Sequence, residues 1–509
     1  MKKQFNRRDF LKLAGVLPLG MAAPQWLRTL DARSLQGRPK NVIVVVFDAF
    51  SAYNISLYGY ARQTTPNIAR LAKRAVVYHN HYAGGNYTTP GTATLLTGVL
   101  PWTHRALNFN AKVVEPYDTK NIFGAFQNYH RIAYSHNGFA NTFLRQFQNQ
   151  MEEYIPRETF YLDSYDTYIS SLFENDDDIA SVSWIRNIKI NEEGFAYSLF
   201  LSHLYESLQD RKIKNLKPRF PRGLPTVNAI HPYMLETAID AIRERLPEVP
   251  QPFFGYFHFM PPHAPYRTPR DFVDTFNGDG FKPIEKPVDP ILAWRINAGL
   301  PRRRTQYDEF ILYSDREFGR LYNTLEASGL LENSWLVLTS DHGEMFERGI
   351  GGHGSKPLYQ PVVRVPLMIF EPGRETGMDI YEYTSAVDLL PTLTHLTGQK
   401  LPDWSEGVVL PPYANTGQSL HRSIYVVQAE DNSPDASLTQ ASTVLVRENY
   451  KLHYYFGYSQ LPEGELVKLF DIEADPEEMV DLYASKKETA AELLNELKAK
   501  LKEVNEPYL

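Results

Sequence analysis

Residues 335–356 read WLVLTSDHGEMFERGIGGHGSK, an apolar run that stops at Asp341-His342 and passes into a glycine-rich loop bearing His353 and Lys356. Residues 335–338 are all large and apolar or β-branched, the composition of a parallel strand covered on both faces. Open α/β sheets bind ligands just beyond such carboxyl ends. The same design recurs in residues 42–48, VIVVVFD, and in residues 253–263, FFGYFHFMPPH, each an apolar run closing on a carboxylate or an imidazole. One strand ending in a polar turn says little; three of them describe a single pocket at one edge of a sheet.

The chain of 509 residues is long enough for a large α/β core with a smaller companion. Apolar content of 43% and charged content of 22% are those of a globular protein, and a net charge of −7 without a basic stripe argues against nucleic acid as a partner. There is no cysteine, which excludes disulfides, thiolate nucleophiles and cysteine metal sites. Residues 1–23 combine basic residues, a short apolar stretch and small residues, and Arg7-Arg8 followed by Asp9-Phe10-Leu11-Lys12 resembles a twin-arginine export signal. The expected partner is therefore the twin-arginine machinery, and the expected location extracytoplasmic, periplasmic or secreted. No stretch approaches the ~20 apolar residues of a membrane span, so none is expected in the mature chain.

Further along, Thr65 is placed to cap a helix opening at Pro66, and Thr88-Thr89-Pro90-Gly91 puts hydroxyls at a helix N-terminus, where anions are favoured. Helices are expected from Met234 to Leu246 and from Asp308 to Ala327. Residues 140–250 read as a variable helical insertion within a catalytic domain of residues 38–400. Beyond it, residues 401–509 alternate short strands and end in a charged helix, an α+β subdomain. Strands alternating with helices predict an α/β fold with a mostly parallel central sheet.

These pieces resemble, in family order, the sulfatases and related hydrolases of the alkaline phosphatase superfamily. The resemblance is carried by VIVVVFDAF, ISLYGY, TTPNIARLA, TTPGTATLLTG, PFFGYFHFMPPHAPY, TSDHGE, HGSK, RVPLMIF, SAVDLLPTL, YKLHYY and KLFDIEADPEE. It implies metal ligands at Asp48, Asp341 and His342 with Thr88 as a fourth contact and nucleophile. Two carboxylates and an imidazole suit one hard or borderline divalent ion, with Mn, Mg, Zn and Ca left open. It also implies an anion-binding lysine and histidine at Lys356 and His353, and a general acid at His263. Asn86 and His136 fall at substrate-binding positions. His79, His81, His104 and His258 read as structural histidines, and Asp315 and Asp388 as capping residues.

Two positions depart from the sulfatase pattern. Thr88 stands where sulfatases carry the cysteine or serine that becomes formylglycine, and threonine cannot yield that aldehyde because its β-carbon bears a methyl group. Ala49 replaces the second aspartate of the usual pair. Many related phosphorus-ester hydrolases hold a second metal through an aspartate four residues before a histidine; Phe259 stands four before His263, so one metal is expected. Thr88 with Asp48, Asp341 and His342 looks closest to mononuclear phosphotransferases and phosphonate monoester hydrolases. The expected activity is hydrolysis or transfer of a small or glycan- or lipid-linked phosphate or phosphonate ester through a phosphothreonine. The alternatives are a sulfatase independent of formylglycine, and an inactive fold that holds an anionic glycan.

Overall fold

Alternating apolar runs and helices assemble into one large sheet. In the computed structural model, which describes residues 39–162, 214–227, 231–292, 299–414, 422–461 and 463–509, the strands are β1 (Asn41–Asp48), β2 (Val76–Tyr82), β3 (His130–Ser135), β4 (Glu153–Ile155), β5 (Thr226–Val227), β6 (His231–Pro232), β7 (Phe253–Pro262), β8 (Ser334–Thr339), β9 (Met345–Glu347), β10 (Ile350–Gly352), β11 (Leu367–Phe370) and β12 (Met378–Ser385). Eight of them form the central sheet in the order β12-β2-β11-β8-β1-β7-β3-β4, while β5 with β6 and β9 with β10 make separate two-stranded ladders. Only β11 runs against its neighbours; the remaining pairs are parallel, as the sequence predicts. The expected leader at residues 1–23 and about half of the expected insertion, residues 163–213 and 228–230, lie outside the described residues.

Every residue of β1 is buried. Ile43, Val45 and Phe47 pack on one face against the helices Leu235–Arg245 and Leu300–Ala327, and Val42, Val44 and Val46 on the other against the helices Thr88–Thr97 and Leu389–Leu396. That is the two-residue period of a strand covered twice. The Leu300–Ala327 helix begins before the expected Asp308, because its first residues up to Gln306 have no buried apolar stripe from which a period can be read. Pro301 in its first turn is the only local start signal.

The cap of the Pro66–Leu71 helix differs from expectation. Thr65 occupies the cap position, but its hydroxyl lies 2.8 Å from Ser56 Oγ, and it is Asp315 that accepts from the Asn67 and Ile68 backbone N–H groups at 2.9 and 2.7 Å. The structural readings of Asp315 and Asp388 hold: Asp388 forms a capping box with Ser385 and also accepts from Val408 N.

The C-terminal part builds its own antiparallel sheet from β13 (Ile424–Gln428), β14 (Ala441–Arg447), β15 (Tyr450–Phe456) and β16 (Glu465–Asp471), in that order, with the helix Lys487–Asn505 packed on it. The short strands and terminal charged helix expected of residues 401–509 are thus present. A buried ionic cluster ties this sheet to the segment following Lys356: Glu478 contacts Lys451 Nζ at 2.8 Å and His453 Nε2 at 3.0 Å and accepts from Gln360 N, while Lys451 donates to the Leu358 carbonyl. Burial opposes ionisation of Glu478, yet Lys451 and His453 hold its carboxyl well below the usual carboxylate range.

A depressed carboxyl of this kind contributes stability that is complete above its unfolded pKa of about 4.3 and is lost as pH falls below it. Glu478→Gln, which leaves Lys451 buried without its counter-charge, is expected to cost roughly 3–5 kcal/mol in urea unfolding at pH 7. The gap to the parent should narrow below about pH 4; a gap that stays constant there would refute the role given to this carboxylate.

Candidate active site

Four neighbouring parallel strands, β8, β1, β7 and β3, end on the same edge of the sheet. Thr339, Val46, His258 and Ser135 stand side by side in register. Two residues further along β8, β1 and β3 lie Asp341, Asp48 and Asn137, so that a shared register delivers three polar side chains to one place.

The ligand atoms of Asp48, Asp341 and His342 all lie within 4.8 Å of one another, and all three residues are buried. His342 Nε2 is 3.3 Å from Asp48 Oδ1 and 3.7 Å from Asp341 Oδ2. Its Nδ1 is 2.9 Å from the Gly343 carbonyl, which can only accept, so Nδ1 carries a proton and Nε2 is the atom turned to the carboxylates. His258, read from sequence as structural, instead places Nε2 3.7 Å from both Asp48 and Asp341.

Burial raises the Asp48 carboxyl, but the His263, His258 and His342 imidazoles outweigh it and hold the group well below its ordinary value. Asp341 stays raised, by burial first and by the Asp48 charge in addition, with His342 pulling back. Against its own burial, His342 is pushed up to about 9 by Asp341 and Asp48. Two facing carboxylates in a dry setting require positive charge. Asp48 Oδ1 is buried without a hydrogen-bond partner, an orphaned acceptor of the sort a cation satisfies, and two carboxylate oxygens with one imidazole nitrogen fit a divalent ion.

Thr88 opens the Thr88–Thr97 helix, with Oγ1 3.4 Å from His342 Nε2. The helix reaches the site because of Gly91: a Cβ there would stand 2.2 Å from the Asp341 carbonyl oxygen, so only glycine permits the approach. Thr92, one turn on, donates to Asp341 Oδ2 at 3.3 Å. Asn137, which sequence reasoning missed, donates from Nδ2 to Asp48 Oδ2 and, at 3.2 Å, to Thr88 Oγ1.

The remaining predicted residues separate into those at the cluster and those beside it. The His353 ring lies 4.4 Å from that of His342 and 4.8 Å from that of His263. His353 and His263 are each oriented through Nδ1, His353 by Glu344 at 3.0 Å and His263 by the Ala264 carbonyl at 2.6 Å. Lys356 instead donates to Gln460 at 2.7 Å and lies over the Tyr458 ring, in a cavity of about 330 Å³ that His353 also lines. Asn86 donates to the Ser355 carbonyl and accepts from Gly354 N, which clamps the loop carrying His353. His136 is turned away, with its ring against Tyr233 and Phe259 and both nitrogens unpartnered. Alternation explains why: in SHN, position 136 has the opposite parity to Asn137. A signal for Asn137 existed, since it follows β3 at the spacing by which Asp341 follows β8. His79, His81 and His104 make local contacts with Asp379, Thr384 and Thr94 respectively.

Comparison with known proteins matches residues 40–399 to the family described as Sulfatase, and residues 351–507 to N-sulphoglucosamine sulphohydrolase, C-terminal. Among curated relatives, the ulvan-active sulfatase of Formosa agariphila is 23% identical over 75% of this chain and 66% of its own length. The choline-sulfatase of Rhizobium meliloti is 30% identical over 47% of this chain and 48% of its own. These matches thus span only half to two thirds of those relatives. A multifunctional alkaline phosphatase superfamily protein of Trinickia caryophylli is 22% identical over 87% and 91%. Among solved structures, the phosphonate monoester hydrolase of Agrobacterium radiobacter superposes with a TM-score of 0.67 at 18% identity, covering 92% of this chain and 96% of that one, which is a likeness of fold.

Purified protein is expected to bind one divalent ion per chain by elemental analysis, and Asp341→Asn to bind it at least about tenfold more weakly. Undiminished metal content in that variant would rule out the three-residue centre.

Proposed function

The chain belongs to the sulfatase family of the alkaline phosphatase superfamily, and from that premise we propose that it is an exported, metal-dependent enzyme that cleaves phosphate or phosphonate esters with Thr88 as nucleophile. The observation that carries this reading is Thr88 itself: a buried hydroxyl at a helix N-terminus, within hydrogen-bond reach of both His342 and Asn137 and beside two buried carboxylates. Formylglycine chemistry is closed to it. Direct attack by an alcohol, giving an ester on the enzyme that water or an acceptor alcohol must then cleave, remains open.

Asp48, Asp341 and His342 are the residues that would hold the divalent ion, which supplies Lewis acidity toward ester oxygens and toward a neighbouring hydroxyl. The protein's own groups do the rest. The helix N-terminus at Thr88 favours the negative charge of a transferred group. With Nδ1 of His263 and of His353 engaged, each ring offers Nε2 to the substrate, and a proton carried on His263 Nε2 would pass to the leaving oxygen. Lys356, held against Tyr458 and Gln460, would meet the organic part of the substrate or swing toward the anion. The alkaline phosphatase superfamily protein and the phosphonate monoester hydrolase among the similar proteins support this reading.

A second reading, cleavage of sulfate esters by the same threonine, is favoured by the sulfatase names of the relatives, whose substrates include ulvan and choline sulfate esters by name. Under either reading the substrate is a small or glycan- or lipid-linked anionic ester. A purely binding role is disfavoured by the ligand set, which retains both ligand types, carboxylate and imidazole, around one point. Export rests on Arg7-Arg8; replacing both with lysine should leave precursor in the cytoplasm, and normal export of that variant would remove the twin-arginine assignment.

Thr88→Ala is expected to lose roughly three or more decades in kcat, as for other covalent nucleophiles. The assay is a panel of chromogenic phosphate monoesters and diesters, phosphonates and sulfates. Near-normal activity in Thr88→Ala would overturn the nucleophile, and aryl sulfates turned over faster than every phosphorus ester would transfer the proposal to the sulfatase reading.

A further inference from the structure

We propose that Asn137 is a catalytic residue whose amide N–H holds the Thr88 oxygen as it departs, and so drives breakdown of the covalent intermediate. The proposal rests on the reading of Thr88 as nucleophile. Asn137 is buried, and its side chain is fixed at both ends. Oδ1 accepts from the backbone N–H groups of Phe139 and Ala140, at 2.7 and 3.4 Å, as the cap of the Gly138–Gln146 helix. Those two donors leave no doubt about which amide atom is oxygen, because a flipped amide would set N–H against N–H. Nδ2 therefore faces the site and donates both to Thr88 Oγ1 at 3.2 Å and to Asp48 Oδ2.

The consequence follows from where charge appears. In the first step the Thr88 Oγ1–P bond forms, the bond from phosphorus to the leaving oxygen breaks, and the hydroxyl proton of Thr88 is lost while the leaving alkoxide gains one. Oγ1 gives up electron density in that step, so a donor pointed at it helps little. In the second step water oxygen bonds to phosphorus, the P–Oγ1 bond breaks with its electron pair staying on Oγ1, and the oxygen recovers a proton as the water loses one. Negative charge now grows on Oγ1, and a rigid amide donor strengthens as it grows. Among the described residues the other side-chain contact to this oxygen is His342 Nε2 at 3.4 Å, an atom of the set that would hold the ion. Asn137 thus discriminates between the two steps, whereas a residue that merely kept the site in shape would affect both.

The test uses Asn137→Asp and Asn137→Ser in the full-length chain. Both retain a side-chain acceptor suited to a helix cap and lose the amide donor. Each is expected to slow steady-state turnover by about 10- to 100-fold, with a pre-steady-state burst of leaving group and accumulation of phosphorylated Thr88 after acid quench, at a melting temperature within a few degrees of the parent. Slowed turnover with no burst and no accumulated phosphothreonine in both variants would overturn the proposal, as would unchanged turnover. Neither result would touch Thr88 as nucleophile, which stands or falls on whether Thr88→Ala is inactive toward phosphorus esters.

Discussion

Two carboxylates, Asp48 and Asp341, face one another at the ends of adjacent strands in the interior of the protein, and among the described residues only imidazoles lie close enough to balance them. Holding like charges together in a dry setting costs several kcal/mol per ion before compensation. The scaffold makes this possible by overdetermining their positions: β1 is buried along its whole length and hydrogen-bonded on both sides, so Asp48 cannot retreat to solvent without dismantling the sheet. Ala49 follows it with φ of 59°, a left-handed turn whose N–H lies 3.4 Å from Asp341 Oδ1. The turn directs the chain away and leaves its amide to stabilise the second carboxylate. A cation is the natural complement of such an arrangement, and His342, Thr88 and Asn137 are placed around the point where the two charges meet.

Much of this was legible in the amino-acid sequence, for a physical reason. Strands buried on both faces must be continuously apolar, so a carboxylate at the end of VIVVVF or WLVLTS marks both the strand and the site. Asn137 is harder to read because HRIAYS is a weaker run, with a charged first half, and because the histidine beside it, the more conspicuous ligand type, is turned by its parity to the opposite side. His258 escaped because it lies inside an apolar strand, where a histidine reads as core; what it faces depends on register with β1, which no single segment reveals. Lys356 follows from its motif in position but not in direction, since Gln460 and Tyr458, which hold it, are about a hundred residues distant. The cap on Pro66–Leu71 shows the same limit, because Asp315 arrives from another helix.

The C-terminal sheet does more than cover the core. Through Glu478, Lys451 and Gln360 it anchors the segment that follows the His353–Lys356 loop, and through Tyr458 and Gln460 it takes part in the cavity beside His353. The two parts therefore contribute differently: the strand ends of the central sheet and the Thr88–Thr97 helix hold the charged cluster and the Thr88 hydroxyl, and the smaller sheet shapes the cavity beside His353. Threonine in place of a formylglycine precursor alters the first of these without requiring change in the second, so that under the proposed reading a member of the sulfatase family keeps the family's outline with a different nucleophile.

The role of Thr88 is tested most directly by offering the full-length enzyme an aryl phosphate and an aryl sulfate together at equal concentration, quenching in acid during turnover, and measuring the peptide that contains Thr88 at a mass resolution that separates a phosphoryl from a sulfuryl group. The predicted result is a phosphoryl group on Thr88. A sulfuryl group on Thr88, or a phosphoryl group carried by a different residue, would contradict it.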